Sequence, residues 1–224
     1  MPPERRRATL EAMSQIELFG TATSPYVRRV RIVLCELGLD YQLVNTAEPQ
    51  GQERLREINP LWKVPTLRVD GQQLFDSTII QRELLRRFGP GPLAPHDPFD
   101  VSANLLLAAI DGALDALINT FYLASEGLER SRAPYLEKQH ERAGASMGWL
   151  LKRIAGGKLE AREGFGLPEI ALVTTLDWMR FRDTYPVDEH PELLEVLAHH
   201  GGRESLATTL PPGYRPSYLE SARS

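Results

Sequence analysis

Residues 59–69 read NPLWKVPTLRV, and the proline at position 65 interrupts what is otherwise a strand pattern. From Val64 to Val69 the side chains suit an extended segment. Proline has no N–H to give to a ladder, so Pro65 belongs at an edge, at a bulge or at a strand's first residue. Two readings fit. In one, Pro65 is an ordinary edge proline. In the other, the Val64–Pro65 bond is cis and turns the Val64 N–H and C=O outward, where an extended peptide can pair with them. Asp70-Gly71 follows as a hairpin turn, with Gln73 to Phe75 as the returning strand. Asp76-Ser77 then opens a helix whose apolar side is Ile79, Ile80, Leu84, Leu85 and Phe88.

Working back toward the N-terminus, a polar stretch (TAEPQGQERLREINP) has room for a short helix, and Tyr41 to Val44 read as a strand. Before it comes TSPYVRRVRIVLCELG, residues 23–38. Ser24 suits an N-cap and Pro25 the first helical position. Val27, Val30, Val33, Leu34 and Leu37 recur at helical spacing, with Arg28, Arg29 and Arg31 placed to face outward. Gly38 ends the helix. Ile16 and Leu18 alternate with Glu17 and lead to Phe19-Gly20, a short first strand. Two strands joined across a helix predict a parallel βαβ unit.

Toward the C-terminus, GPGPLAPHDPF (residues 89–99) holds four of the chain's 17 prolines, so no regular element runs through it. It reads as a linker. Beyond it the pattern is helical: Val101 to Ser125, with Leu105, Leu106, Ala109, Leu114, Leu117 and Ile118 inward, then Tyr135 to Ile154, broken by Gly156-Gly157. Pro168 to Arg182 (PEIALVTTLDWMRFR) is apolar on most sides, as a helix buried in a bundle is. Two short helices follow, Pro191 to Ala198 and Arg203 to Thr208. From Pro211 the tail reads as poorly ordered.

The 224 residues are 42% hydrophobic and 25% charged, with a net charge of −4. This excludes collagen-like and wholly disordered chains and argues against a broad nucleic-acid surface. A single cysteine excludes a disulfide scaffold and Cys-rich zinc sites. No apolar run approaches the roughly 18 residues that span a bilayer, and MPPERRRATLEAM has no secretory apolar core. A cytoplasmic setting is expected, with no membrane partner. The Arg5-Arg6-Arg7 run reads as a solvated tail. His96, His140, His190, His199 and His200 show no metal-ligand spacing, with His199-His200 placed at a surface helix end, and there is no glycine-rich nucleotide loop. Neither metal nor nucleotide is expected.

Two helix starts are candidate anion sites, because helix N-termini present unpaired N–H groups and partial positive charge. At Asp76-Ser77 the Ser77 hydroxyl and N–H suit a carboxylate, and Asp76 an ammonium group. At Ser24 a bound thiolate gains both a hydroxyl donor and the helix dipole. Either serine or aspartate also serves as a plain cap.

The order of these features resembles the cytosolic glutathione S-transferase family, in its bacterial branch with a TSP[YF]VR motif. TSPYVRRVRIVLCELGLDYQLV, NPLWKVPTL and LFDSTIIQREL carry the likeness in the first half, GLPEIALVTTLDWMRFR in the second. The resemblance implies a thioredoxin-like α/β N-terminal domain and an all-α C-terminal helical bundle. The divisions are a 1–14 extension, a 15–88 glutathione-binding domain, an 89–100 linker, a 101–210 helical domain and a 211–224 tail. It implies conjugation of reduced glutathione, as co-substrate, to a small electrophile by a homodimer. In that scheme Ser24 stabilises the thiolate, with Thr23 and Thr21 as rival hydroxyls. Val64, beside a cis-Pro65, pairs with the cysteinyl main chain. Asp76 and Ser77 hold the γ-glutamyl end, Lys63 reaches a carboxylate and Tyr26 assists. A non-catalytic module that kept the fold, or another glutathione-dependent enzyme such as an isomerase or peroxidase, is the alternative.

Two departures bear on chemistry and folding. Position 24 is serine and no CxxC occurs, which disfavours a mixed-disulfide mechanism; Cys35 reads as a small core residue. The family's capping box before the buried helix stands here as Gly166-Leu167-Pro168-Glu169, so the cap's side-chain hydrogen bond is lost.

Overall fold

Strand periodicity near Ile16 and the Asp70-Gly71 turn resolve into one mixed sheet in a computed structural model, which describes residues 16–156 and 164–221. The expected 1–14 extension lies outside the described residues. By its internal packing the chain divides into two units, Met1–Gly91 and Pro92–Ser224.

The first unit runs β1 (Glu17–Gly20), α1 (Pro25–Glu36), β2 (Gln42–Asn45), α2 (Pro49–Ile58), β3 (Thr66–Val69), β4 (Gln72–Phe75) and α3 (Ser77–Phe88). The sheet order is β2-β1-β3-β4. β1 and β2 are parallel, as the βαβ reading requires, while β3 runs antiparallel to both β1 and β4. Leu18, Phe19, Leu67, Val69, Val27, Val30, Ile80 and Leu84 are fully buried between sheet and helices. Gly20 sits where β1 turns into α1, and a Cβ there would lie 2.3 Å from the Val27 side chain. Only glycine allows that approach.

Several side chains depart from the sequence patterns. Arg28 and Arg29 are buried, at 2% and 0% exposure, rather than facing outward. The Arg29 guanidinium lies over the Tyr26 ring, 4.8 Å from its centroid. Packing between the sheet and α3 covers more of α1 than one stripe, and long aliphatic stems accommodate that burial. Arg31, half-buried, donates to the Tyr41 hydroxyl at 3.0 Å. Cys35 is exposed, not core, because the buried face passes through Ile32, Val33 and Leu34. Ile79 is also exposed. Glu17 is buried within β1 and ion-paired to Arg54, at 2.6 Å, and to Arg68. Burial pushes its carboxyl up, but the Arg54 and Arg68 guanidiniums outweigh that and hold it below its ordinary value.

The second unit is helical: α4 (Val101–Ser125), α5 (Pro134–Ala155), α6 (Leu167–Arg182), α7 (Pro191–His200), α8 (Glu204–Thr208) and α9 (Ser217–Ser221). α6 is buried from Leu167 through Met179, the central position its composition predicts. Its start keeps half of a capping box: glycine offers no side chain, but Glu169 accepts from the Gly166 N–H at 2.9 Å. α4 has the length and mean hydropathy (1.6) of a membrane-crossing helix, with 44% of that stretch buried. Asp111 and Asp115 interrupt it, and Leu106, Leu107, Ile110, Leu114 and Leu117 turn inward. Leu105, expected inward, is exposed.

The segment after Pro211 is packed, not disordered, as far as Leu219. Tyr214 and Tyr218 donate to the two carboxylate oxygens of the buried Asp177, at 3.0 and 2.7 Å. His200 also departs from a surface reading. Its ring packs 4.9 Å from Phe165, and burial, then His199 and Arg203, lowers its pKa to about 4.

Candidate functional site

Sheet register gathers the predicted site residues at one end of the first unit. Phe19 in β1 stands opposite Thr66 in β3, and Thr66 stands opposite Phe75 in β4. Beyond Phe19 the chain passes Gly20 and enters α1 at Ser24. Immediately before Thr66 come Lys63, Val64 and Pro65. Immediately after Phe75 come Asp76 and Ser77. Three segments far apart in sequence therefore leave the same end of the sheet, while Cys35 lies in the last turn of α1, away from it.

At the α1 start, the Ser24 Oγ accepts from the Val27 N–H at 3.3 Å and Pro25 occupies the first helical position. A hydroxyl that accepts a cap bond still has a proton to donate. The Ser24 N–H bonds to the Thr21 carbonyl at 3.2 Å, closing a turn that also holds Thr23, whose hydroxyl is 3.4 Å from that of Thr21. All three hydroxyl-bearing residues and Tyr26 are half-buried. At the α3 start, Asp76 Oδ1 accepts from the Thr78 and Ile79 N–H groups at 2.9 and 3.1 Å. That cap does not use the Ser77 N–H. Asp76 is exposed and Ser77 is 4% exposed. The Asp76 backbone has a φ of 74°, a conformation that costs a non-glycine residue about 1–3 kcal/mol.

The segment between α2 and β3 carries a residue that sequence reasoning passed over. The Val64–Pro65 bond is cis. Lys63 is exposed, Val64 half-buried and Pro65 buried. Behind them sits Asn59, 1% exposed, whose side chain accepts from the Leu61 N–H at 2.8 Å. Its amide donates to the Lys63 carbonyl at 2.9 Å and to the Thr66 hydroxyl at 2.8 Å. The signal in the sequence was Asn-Pro after a helix, a pairing that marks side-chain-directed turns. Among the described residues, no three His, Cys, Asp or Glu side chains gather as a metal site. Asp115 and Tyr122 are exposed on α4, and Arg180 pairs with Asp188 at 2.9 Å.

This end of the sheet thus offers a hydroxyl donor at a helix start, the Lys63-Val64-Pro65 segment that leads into the interior strand β3, and a carboxylate and amide at a second helix start. Residues 18–92 match the family model described as glutathione S-transferase, N-terminal domain. Over 203 residues the chain is 30% identical to the uncharacterized GST-like protein YibF of Escherichia coli K12, covering 88% of this chain and 99% of that one. Two solved structures superpose on most of the chain. One is a glutathione S-transferase from Methylobacillus flagellatus with glutathione bound (TM-score 0.73, 25% identity, 88% of this chain and 100% of that chain). The other, from Methylobacterium radiotolerans, is in complex with glutathione sulfonate (TM-score 0.71, 28% identity, 91% and 98%). The α/β thioredoxin-like unit followed by a helical unit is the fold these relatives share, and the chain belongs to the glutathione S-transferase family.

Proposed function

We propose that this protein conjugates reduced glutathione to a small electrophile, using Ser24 to stabilise the thiolate. The observation that carries this reading is the register row Phe19, Thr66 and Phe75, from which Ser24, Val64 and Ser77 all emerge at one sheet end. In this proposal glutathione lies extended along Val64, its cysteinyl main chain paired with the Val64 N–H and C=O. The γ-glutamyl carboxylate meets the Ser77 N–H and hydroxyl. Asp76 takes the ammonium group on Oδ2, since its cap bonds fall on Oδ1. Lys63, exposed beside Val64, reaches the glycyl carboxylate, and Tyr26 flanks the sulfur.

The chemistry follows from the α1 start. A thiol of ordinary pKa, about 8.5, is mostly protonated at neutral pH. The helix dipole and the Ser24 hydroxyl both favour the anion and lower that value. Serine does not act as a base at neutral pH, so its part is to donate a hydrogen bond to sulfur, and the proton leaves to solvent. Thr21 and Thr23 are the hydroxyls that would replace it. The working form is proposed to be a cytoplasmic homodimer.

Titration with glutathione, followed by ultraviolet absorbance of the bound thiolate across pH, tests the reading. The expected result is saturable binding with a thiol pKa below that of free glutathione, and turnover in a screen of small electrophiles. No binding at millimolar glutathione would leave the alternative of a module that kept the fold without the chemistry. Binding without conjugation would point to an isomerase or peroxidase.

A further inference from the structure

We infer that Asn59 and Thr66 are positioning residues that aim the Val64 N–H outward by pinning the peptide plane it shares with Lys63. The inference rests on the glutathione reading above and assigns the residues that give its central contact a direction. The C=O of Lys63 and the N–H of Val64 belong to one peptide unit. That unit is trans, and in a trans peptide the two groups point in opposite directions. The Lys63 oxygen accepts from Asn59 Nδ2 at 2.9 Å and from the Thr66 hydroxyl at 3.1 Å. Both donors are buried, at 1% and 0% exposure. The carbonyl therefore faces the interior, and the Val64 N–H faces away from it.

Hydrogen-bond chemistry leaves little freedom in this arrangement. Asn59 Oδ1 must face the Leu61 N–H, which is only a donor, and Nδ2 must face the Lys63 oxygen, which is only an acceptor. The side-chain amide has one orientation. Its second hydrogen goes to Thr66 Oγ1, whose own hydroxyl donates to the Lys63 carbonyl. The Asn59 backbone is fixed as well: its N–H closes α2 on Leu55 at 2.9 Å and its carbonyl accepts from Trp62 at 3.1 Å. The peptide plane is thus tied to the end of α2 and to the first residue of β3 at once.

The test compares Asn59→Ala, Thr66→Val and Thr66→Ser in the full chain, reading glutathione affinity by calorimetry, bound-thiol pKa by absorbance and thermal midpoint. The expected result is glutathione affinity weaker by about ten-fold or more in Asn59→Ala and Thr66→Val, the loss of one directed hydrogen bond. Thr66→Ser, which keeps the hydroxyl, restores affinity. Bound-thiol pKa, set at the α1 start, stays at the parent value. Tyr218→Phe, a destabilising change in the helical unit, serves as the control: it lowers the midpoint and leaves affinity unchanged. If Asn59→Ala fails to fold, the Thr66 pair decides. Affinities of Thr66→Val and Thr66→Ser within two-fold of each other and of the parent would overturn the inference while leaving the glutathione reading intact. A parent protein that binds no glutathione would end both.

Discussion

The two units bury polar groups for different ends. In the first, Asn59, Thr66 and Ser77 are buried at one sheet end, and the hydrogen bonds of Asn59 and Thr66 hold a loop that reaches outward from it. In the second, the buried Asp177 spends both oxygens on tyrosines from the C-terminal segment, and Thr174 bonds back to its own helix. One set shapes a surface that keeps donors and acceptors on offer. The other closes a surface. Buried polarity is thus no guide to function until its partners are named: where they hold a loop beside open backbone it points to a site, and where they fasten one packed segment onto a buried helix it points to a clasp.

The largest effect should come from breaking the clasp. Asp177→Ala leaves two phenol hydroxyls without their charged acceptor, a loss of about 3–5 kcal/mol from two hydrogen bonds to a buried carboxylate. Thermal unfolding reads it, and glutathione affinity should stay at the parent value. Affinity lost in step with stability would break the contrast between the units. Ser24→Ala is the converse. Removing the donor to the thiolate is expected to cost about 10²–10³ in kcat, the range for a preorganised anion donor. Loss of the cap bond to Val27 should lower stability by only about 1 kcal/mol. Bound thiol should then titrate closer to the free value, with the helix dipole alone left to lower it. Full activity in this variant would transfer the role to Thr21 or Thr23.

The contrast also explains what the sequence made legible. Helix starts at Ser24-Pro25 and Asp76-Ser77 and the Asp70-Gly71 hairpin are local signals, each set by one or two residues, and each appears in the fold where the pattern puts it. Burial of Arg28 and Arg29 was not legible, because how many elements cover α1 is decided by strands and a helix distant in sequence. The same holds for the C-terminal segment. Nothing between Pro211 and Leu219 is strongly apolar as a run, and its order comes from Asp177, more than thirty residues earlier. Within the candidate site, residues at element ends were readable. Asn59 was not, since its importance lies in three partners that only the folded loop brings to it.

A smaller change separates cap from ligand at the second helix start. Ser77→Ala leaves the Asp76 cap, whose bonds go to Thr78 and Ile79, and removes only the hydroxyl. Glutathione binding should weaken by roughly 1–3 kcal/mol if that hydroxyl meets a carboxylate. Stability should move little. Unchanged affinity by calorimetry would assign Ser77 to packing alone and sharpen the boundary of the site to its backbone amide.

The mildest test is acid, to which the units should respond in different windows. In the helical unit His200 has its pKa lowered to about 4, chiefly by burial, with His199 and Arg203 adding to it. Its folded form is neutral, so its contribution is full above the ordinary value near 6.5 and is lost as pH falls from there toward 4. In the first unit Glu83 is lowered to about 2 by hydrogen bonds from Arg86 and then Arg87, the latter also 3.2 Å from Asp70 in the hairpin turn. Its contribution is full above the ordinary carboxylate value and is lost only as pH falls toward 2. Between pH 6 and 4, therefore, amide exchange should quicken in α6 and α7 while β3, β4 and α3 hold. His200→Gln should flatten the first response and Glu83→Gln the second. Exchange that rises together in both units across pH 6 to 4 would mean they unfold as one, and the division of labour drawn from their buried groups would then stop short of their stability.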